Sequence, residues 1–134
     1  MSESLSSPVQ ATAVGFQREL VLLDRAVALE RVGGDPQLLQ EIAQLFLEQA
    51  PELIDQMRTA LAAGDAKVLE RAAHTFKGAV GNFGAEPALE AAKTLEFIAR
   101  GGDLARAQGA FGRLQVIWEQ LLPEFVRLSR ETPA

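Results

Sequence analysis

The 134-residue sequence contains no cysteine, which excludes a disulfide framework and any thiolate metal site. No stretch approaches the roughly 18 uninterrupted apolar residues that span a bilayer, and the first residues lack the basic-then-apolar order of a signal peptide. A cytoplasmic protein away from the membrane is expected. Basic charge is scarce as well: 13 Lys and Arg stand against 18 Asp and Glu, a net charge of -5. The cationic footprint that tracks a nucleic-acid backbone is therefore missing, and another protein is the expected partner. No run of alternating β-branched residues signals a strand, and no repeat period indicates a solenoid. No Gly-x-x-x-x-Gly-Lys-Ser/Thr loop, nor any other glycine-rich strand-to-helix turn, offers ATP a place.

What is present is globular: 48% hydrophobic and 23% charged residues, in a length that suits one domain with a real core. Residues 1–20 carry no periodic apolar pattern, least of all as far as Gly15, and are expected to be a flexible tail or linker ahead of a domain over 21–130. From Leu23 onward apolar residues recur at three and four, and Pro, Gly and Asp mark the joints. Asp24 and the pair Gly33-Gly34 bracket a short first helix, a lid on the core. Asp35-Pro36 opens a long one whose stripe is Leu39, Ile42, Phe46, Ala50, Leu53, Met57 and Ala60, ending at Gly64. The stripe keeps its phase across Pro51, so a kink or two nearly coaxial helices is expected there. Asp65 caps a third helix with Leu69, Ala73, Phe76, Val80 and Phe83 on one side and Gly84 as its stop. Pro87 at N1 opens a fourth, with the slimmer face Ala88, Ala92, Leu95 and Ala99 ending at Gly101-Gly102. Asp103 caps a fifth, striped by Leu104, Ala107, Phe111, Leu114, Trp118, Leu121 and Phe125, with Pro123 inside it. The fold class this implies is all-α: an antiparallel up-and-down four-helix bundle with a short extra N-terminal helix.

The single histidine falls on the third helix. At about 100° per residue, His74 lies roughly 140° from the centre of that helix's apolar stripe and faces solvent. Lys77 at i+3, Gly78 at i+4 and Gly81 one turn further share its side. A glycine inside a helix costs roughly 0.5–1 kcal/mol relative to alanine, so two on an exposed face need a reason other than stability. Bare backbone that lets another protein's cleft settle over the imidazole is such a reason. An imidazole, with its ordinary pKa near about 6.5, keeps a neutral nucleophilic nitrogen in the cytoplasm, and a phosphoramidate is labile enough to be given up again. Lys77 supplies a mobile positive charge one turn away, and Arg71 at i−3 adds to the field.

His74-x-x-Lys77-Gly78, followed by Gly81-Asn82-Phe83-Gly84-Ala85, resembles the signature of histidine phosphotransfer (HPt) domains. The likeness extends from Leu23-Asp24 through Gly33-Gly34-Asp35, the helix from Leu39 to Leu61, and Leu95-Glu96, about Leu23 to Leu128 in all. Phe76 and Ala79 stand where leucine and serine are frequent in the family. The resemblance implies that His74 is the phosphorylated residue, Lys77 its assisting lysine and Gly78 the access-giving glycine. It also implies that the module is a carrier and not a kinase. Its partners would be response-regulator receiver domains and a hybrid histidine kinase, of which the chain could itself be a piece. No cofactor of its own is expected, the Mg²⁺ belonging to the receiver, and a monomer is expected because one core consumes the stripes.

Two other readings compete. A helical module that docks on a receiver or kinase without being phosphorylated would be expected to carry a damaged motif, whereas His74, Lys77 and Gly78 are all intact. A metal- or haem-binding bundle needs inward ligands such as paired Glu-x-x-His motifs; here the one histidine points outward, behind Arg71 at i−3, and no metal site is expected.

Overall fold

The computed structural model describes residues 21–131; the expected tail at residues 1–20 lies outside them. Five helices follow one another: α1 (Arg25–Arg31), α2 (Pro36–Ala63), α3 (Ala66–Gly81), α4 (Glu86–Arg100) and α5 (Leu104–Arg130), with no strand among the described residues. Four of the five begin as the aspartates foretell. Asp24, Asp35, Asp65 and Asp103 each accept hydrogen bonds from first-turn amides that have no partner inside the helix. α4 starts without such a cap at Ala85, and Pro87 is its second residue, not its first.

Short turns reverse the chain between successive long helices. α2, α3, α4 and α5 pack in a closed ring, each against its two neighbours, while α1 touches α2 only lightly. This is the antiparallel four-helix bundle with a short N-terminal helix. The expected stripes form its core, in which Leu39, Met57, Leu69, Phe76, Leu95, Leu114, Leu121 and Phe125 are all shut off from solvent. At its centre Phe46 meets Phe76, Phe83, Trp118 and Phe125 at ring-centroid distances of 5.0–5.9 Å, within the range of favourable tilted and edge contacts. α2 runs as one helix through Pro51; the ring removes a backbone bond, and buried Ala50, Leu53 and Ile54 on either side hold the segment in register.

α1 is seated on the turn between α3 and α4. The amide of Asp24 donates to the carbonyl of Gly84 at 3.2 Å, and the Arg25 guanidinium closes a two-pronged bond on Glu131 at 2.7–3.0 Å. α3 ends at Gly81, and Gly84 closes it as read: in left-handed geometry its amide donates to the Gly81 carbonyl and that of Ala85 to the Val80 carbonyl, both at 3.4 Å. Gly84 has φ +62°, and a Cβ there would lie 3.0 Å from the Cβ atoms of both Asp24 and Val27. Backbone angle and close approach both demand glycine.

Gly84→Ala should therefore cost about 2–4 kcal/mol, the left-handed penalty plus overpacking against α1. Gly33→Ala has a similar φ of +68° but open space around it, and should cost only about 1 kcal/mol. Urea unfolding followed by circular dichroism compares them; equal losses would mean that α1 does not press on Gly84.

Candidate functional site

Burial of Leu69, Ala72, Ala73, Phe76 and Val80 against the core fixes the rotation of α3 and forces His74 outward, where its side chain is 65% exposed. A helical side chain leans toward the N-terminus of its helix, so the imidazole lies over the preceding turn. There it borders a shallow depression of about 340 Å³ lined by Lys67, Glu70, Arg71, His74, Glu96 and Arg100.

The ring is held by a residue from the next helix. Nδ1 of His74 stands 2.8 Å from Oε2 of Glu96, a carboxylate on α4 whose side chain is only 7% exposed. Its other oxygen takes the Lys77 ammonium at 2.7 Å. Arg100 adds a bond from Nη2 to Oε2 at 3.0 Å, while its Nε reaches Glu70 at 2.8 Å. Burial pushes the Glu96 carboxyl up, but the hydrogen bonds and charges of Lys77 and His74 overcome it and leave the pKa below the ordinary value of 4.5. Glu96 is therefore ionised at neutral pH. An ionised carboxylate can only accept, so Nδ1 of the neutral ring carries the proton, and Nε2 presents its lone pair away from Glu96.

Of the residues singled out in the sequence, His74 and Gly78 stand where the helical angles put them: Gly78 is exposed, and a Cβ added to it would meet nothing within 4 Å. Arg71 is exposed on the rim of the depression. Two expectations need correction. Lys77 is no mobile point charge, being 28% exposed and tied to Glu96. Gly81 is half-buried and does not fully share the bare face, because an added Cβ would stand in ordinary contact with Leu89 of α4, at 3.7 Å. Glu96, Arg100 and Glu70 were not anticipated as site residues. The available signal was an acid on the flank of a narrow apolar stripe, about 70° from its centre, with an arginine at i+4. Among the described residues no group of three His, Asp or Glu side chains is arranged to hold a metal ion, and no helix is long and apolar enough to cross a membrane.

Because the folded carboxyl of Glu96 titrates below its unfolded value, the stability it lends is complete above the unfolded pKa and is lost as pH falls through the folded one. Glu96→Gln should be less stable than the wild type at pH 7, and the gap should close between about pH 5 and pH 3. Urea midpoints across that range test this; a gap independent of pH would show that the charge of Glu96 contributes nothing.

Comparison with known proteins agrees with this fold. The family model described as Hpt domain matches residues 41–124, more than half of the chain. Among solved structures, the crystal structure of histidine-containing phosphotransfer protein B (HptB) from Pseudomonas aeruginosa PAO1 superposes with a TM-score of 0.77 at 27% identity, covering 84% of this chain and 99% of that one. No curated protein matches the chain. The chain belongs to the Hpt domain family: it is a phosphotransfer module of a phosphorelay, a phosphocarrier and not an enzyme in the usual sense.

Proposed function

We propose that His74 accepts a phosphoryl group on Nε2 from the aspartyl phosphate of one response-regulator receiver domain and passes it to the aspartate of another. The observation that carries this reading is the bond between Nδ1 and the buried Glu96 carboxylate at 2.8 Å, which orients an otherwise exposed ring and leaves Nε2 free. In the forward step the Nε2 lone pair forms the N–P bond as the P–O bond to the donor aspartate breaks, and that carboxylate departs with the electron pair. The imidazole keeps its Nδ1 proton and becomes cationic, and Glu96 offsets the new charge. In the second step the next receiver's carboxylate attacks phosphorus and the electron pair returns to Nε2. Each receiver brings its own Mg²⁺ and aspartate; this chain contributes the positioned imidazole, the cations around it and the bare backbone of Gly78. On the same reading the chain is a monomeric, cytoplasmic carrier whose donor is the receiver of a hybrid histidine kinase, its apolar stripes being consumed in one core.

Incubation with a labelled phosphoreceiver should place an acid-labile, alkali-stable label on the wild type and none on His74→Gln; equal labelling of the variant would remove His74 from the role. Gly78→Leu fills the open space beside the ring. It should lower the transfer rate at least about tenfold while helix stability holds or rises by about 0.5–1 kcal/mol. Normal transfer by this variant would mean that the receiver does not pass over Gly78. Lys77→Ala removes a partner of buried Glu96, so slower transfer should come with a loss of about 1–3 kcal/mol in stability.

A further inference from the structure

We infer that Arg100 is a second phosphoryl-binding cation, parked on Glu70 and Glu96 while the imidazole is bare and drawn onto the phosphoryl oxygens once His74 carries them. The inference rests on the reading of His74 above. Three observations lead to it.

The first is position. His74 and Arg100 bond the same oxygen of Glu96, at 2.8 and 3.0 Å, so the two bonded nitrogens cannot be more than about 6 Å apart. The second is direction. The imidazole leans over the preceding turn, and the depression beside it is walled by Arg100, Arg71 and Lys67, whereas Lys77 holds the opposite oxygen of Glu96. A group entering this depression stands beside Arg100, which lines it, whereas Lys77 does not. The third is availability: the Arg100 side chain is 59% exposed, and its bond to Glu70 joins two surface groups, a pairing that contributes little on its own. A dianionic phosphoryl group competes well for it, since a guanidinium matches phosphate oxygens with two parallel donors. Arg100 would keep its place on α4, give up Glu70 and bridge the phosphoryl group to Glu96. Electrostatic repulsion between that group and Glu96 makes such a bridge the favourable arrangement.

The test uses phosphoramidate, which gives its phosphoryl group to imidazole with loss of ammonia and needs no receiver. Phosphohistidine is read by ³¹P NMR and the Arg100 Nε–H by ¹⁵N correlation. Wild type should acquire a phosphohistidine signal that His74→Gln lacks, and the Arg100 Nε–H resonance should shift as it appears. Steady-state occupancy should fall about three- to tenfold in Arg100→Ala, recover in part in Arg100→Lys, and stay at or above wild type in Glu70→Gln, which frees the guanidinium. A helix-tying role predicts the reverse for the last variant, because Glu70→Gln would then do as much harm as Arg100→Ala. Unchanged occupancy in Arg100→Ala, equal loss in Glu70→Gln, or an unmoved Arg100 resonance in phosphorylated wild type would overturn the assignment of Arg100 and leave His74 standing. An unlabelled wild type, or a labelled His74→Gln, would instead overturn the reading of His74, and this inference with it.

Discussion

One buried negative charge organises the site. Glu96 sits in the seam between α3 and α4 with its side chain 7% exposed, where an unpaired carboxylate would be costly enough to take up a proton or pull the helices apart. It stays ionised because His74, Lys77 and Arg100 all reach it. Each is placed in turn by the same contact: the imidazole is oriented and its tautomer set, the lysine is held beside it, and the guanidinium is brought to its other side. The arrangement also fixes the register of the two helices. A slip of α4 by one residue would swing Glu96 through about 100° and orphan the charge, so helix alignment and imidazole geometry are settled together.

The rest of the molecule makes that seam rigid. The cluster around Phe46 fills the middle of the bundle with tilted aromatic contacts, and close-packed interiors of this kind do not deform continuously. Past the C-terminal end of α3, Gly84 accepts α1 at a distance no other side chain would allow. Gly84 and Gly78 thus answer to different physics. Gly84 is bound by its backbone angle and by α1, while Gly78 is in ordinary helical geometry with nothing near it, and stability alone would favour alanine there.

The fold was legible in the sequence because each helix announces its own ends and its own buried face. Asp24, Asp35, Asp65 and Asp103 cap as read, and Leu69, Ala73, Phe76 and Val80 alone suffice to turn His74 outward. What one helix cannot disclose is where its neighbour's side chains reach. The angular position of Gly81 is nearly that of His74, yet Leu89 of α4 borders the first, which is half-buried, while the second is exposed. Glu96 was hidden for the same reason: within α4 it is an acid beside an apolar stripe, and its meaning comes from residues 19 and 22 positions earlier, across a turn. Lys77 is obscured with it, because a lysine without its counter-ion in view looks mobile.

The charge balance of the seam bears on how a carrier must behave. With the ring neutral, Lys77 and Arg100 are matched by Glu70 and Glu96, while Lys67 and Arg71 on the wall of the depression add positive charge beyond that balance. On the proposed reading, a phosphoryl group on His74 draws Lys77 or Arg100 from carboxylates that already hold them, and surrenders them again when it leaves. Held by spare cations alone, it would sit in a deep well and pass on slowly; facing unpaired carboxylates, it would not stay at all. Sharing cations between protein carboxylates and phosphoryl oxygens keeps the two states close in free energy, and reversible transfer in either direction requires that closeness.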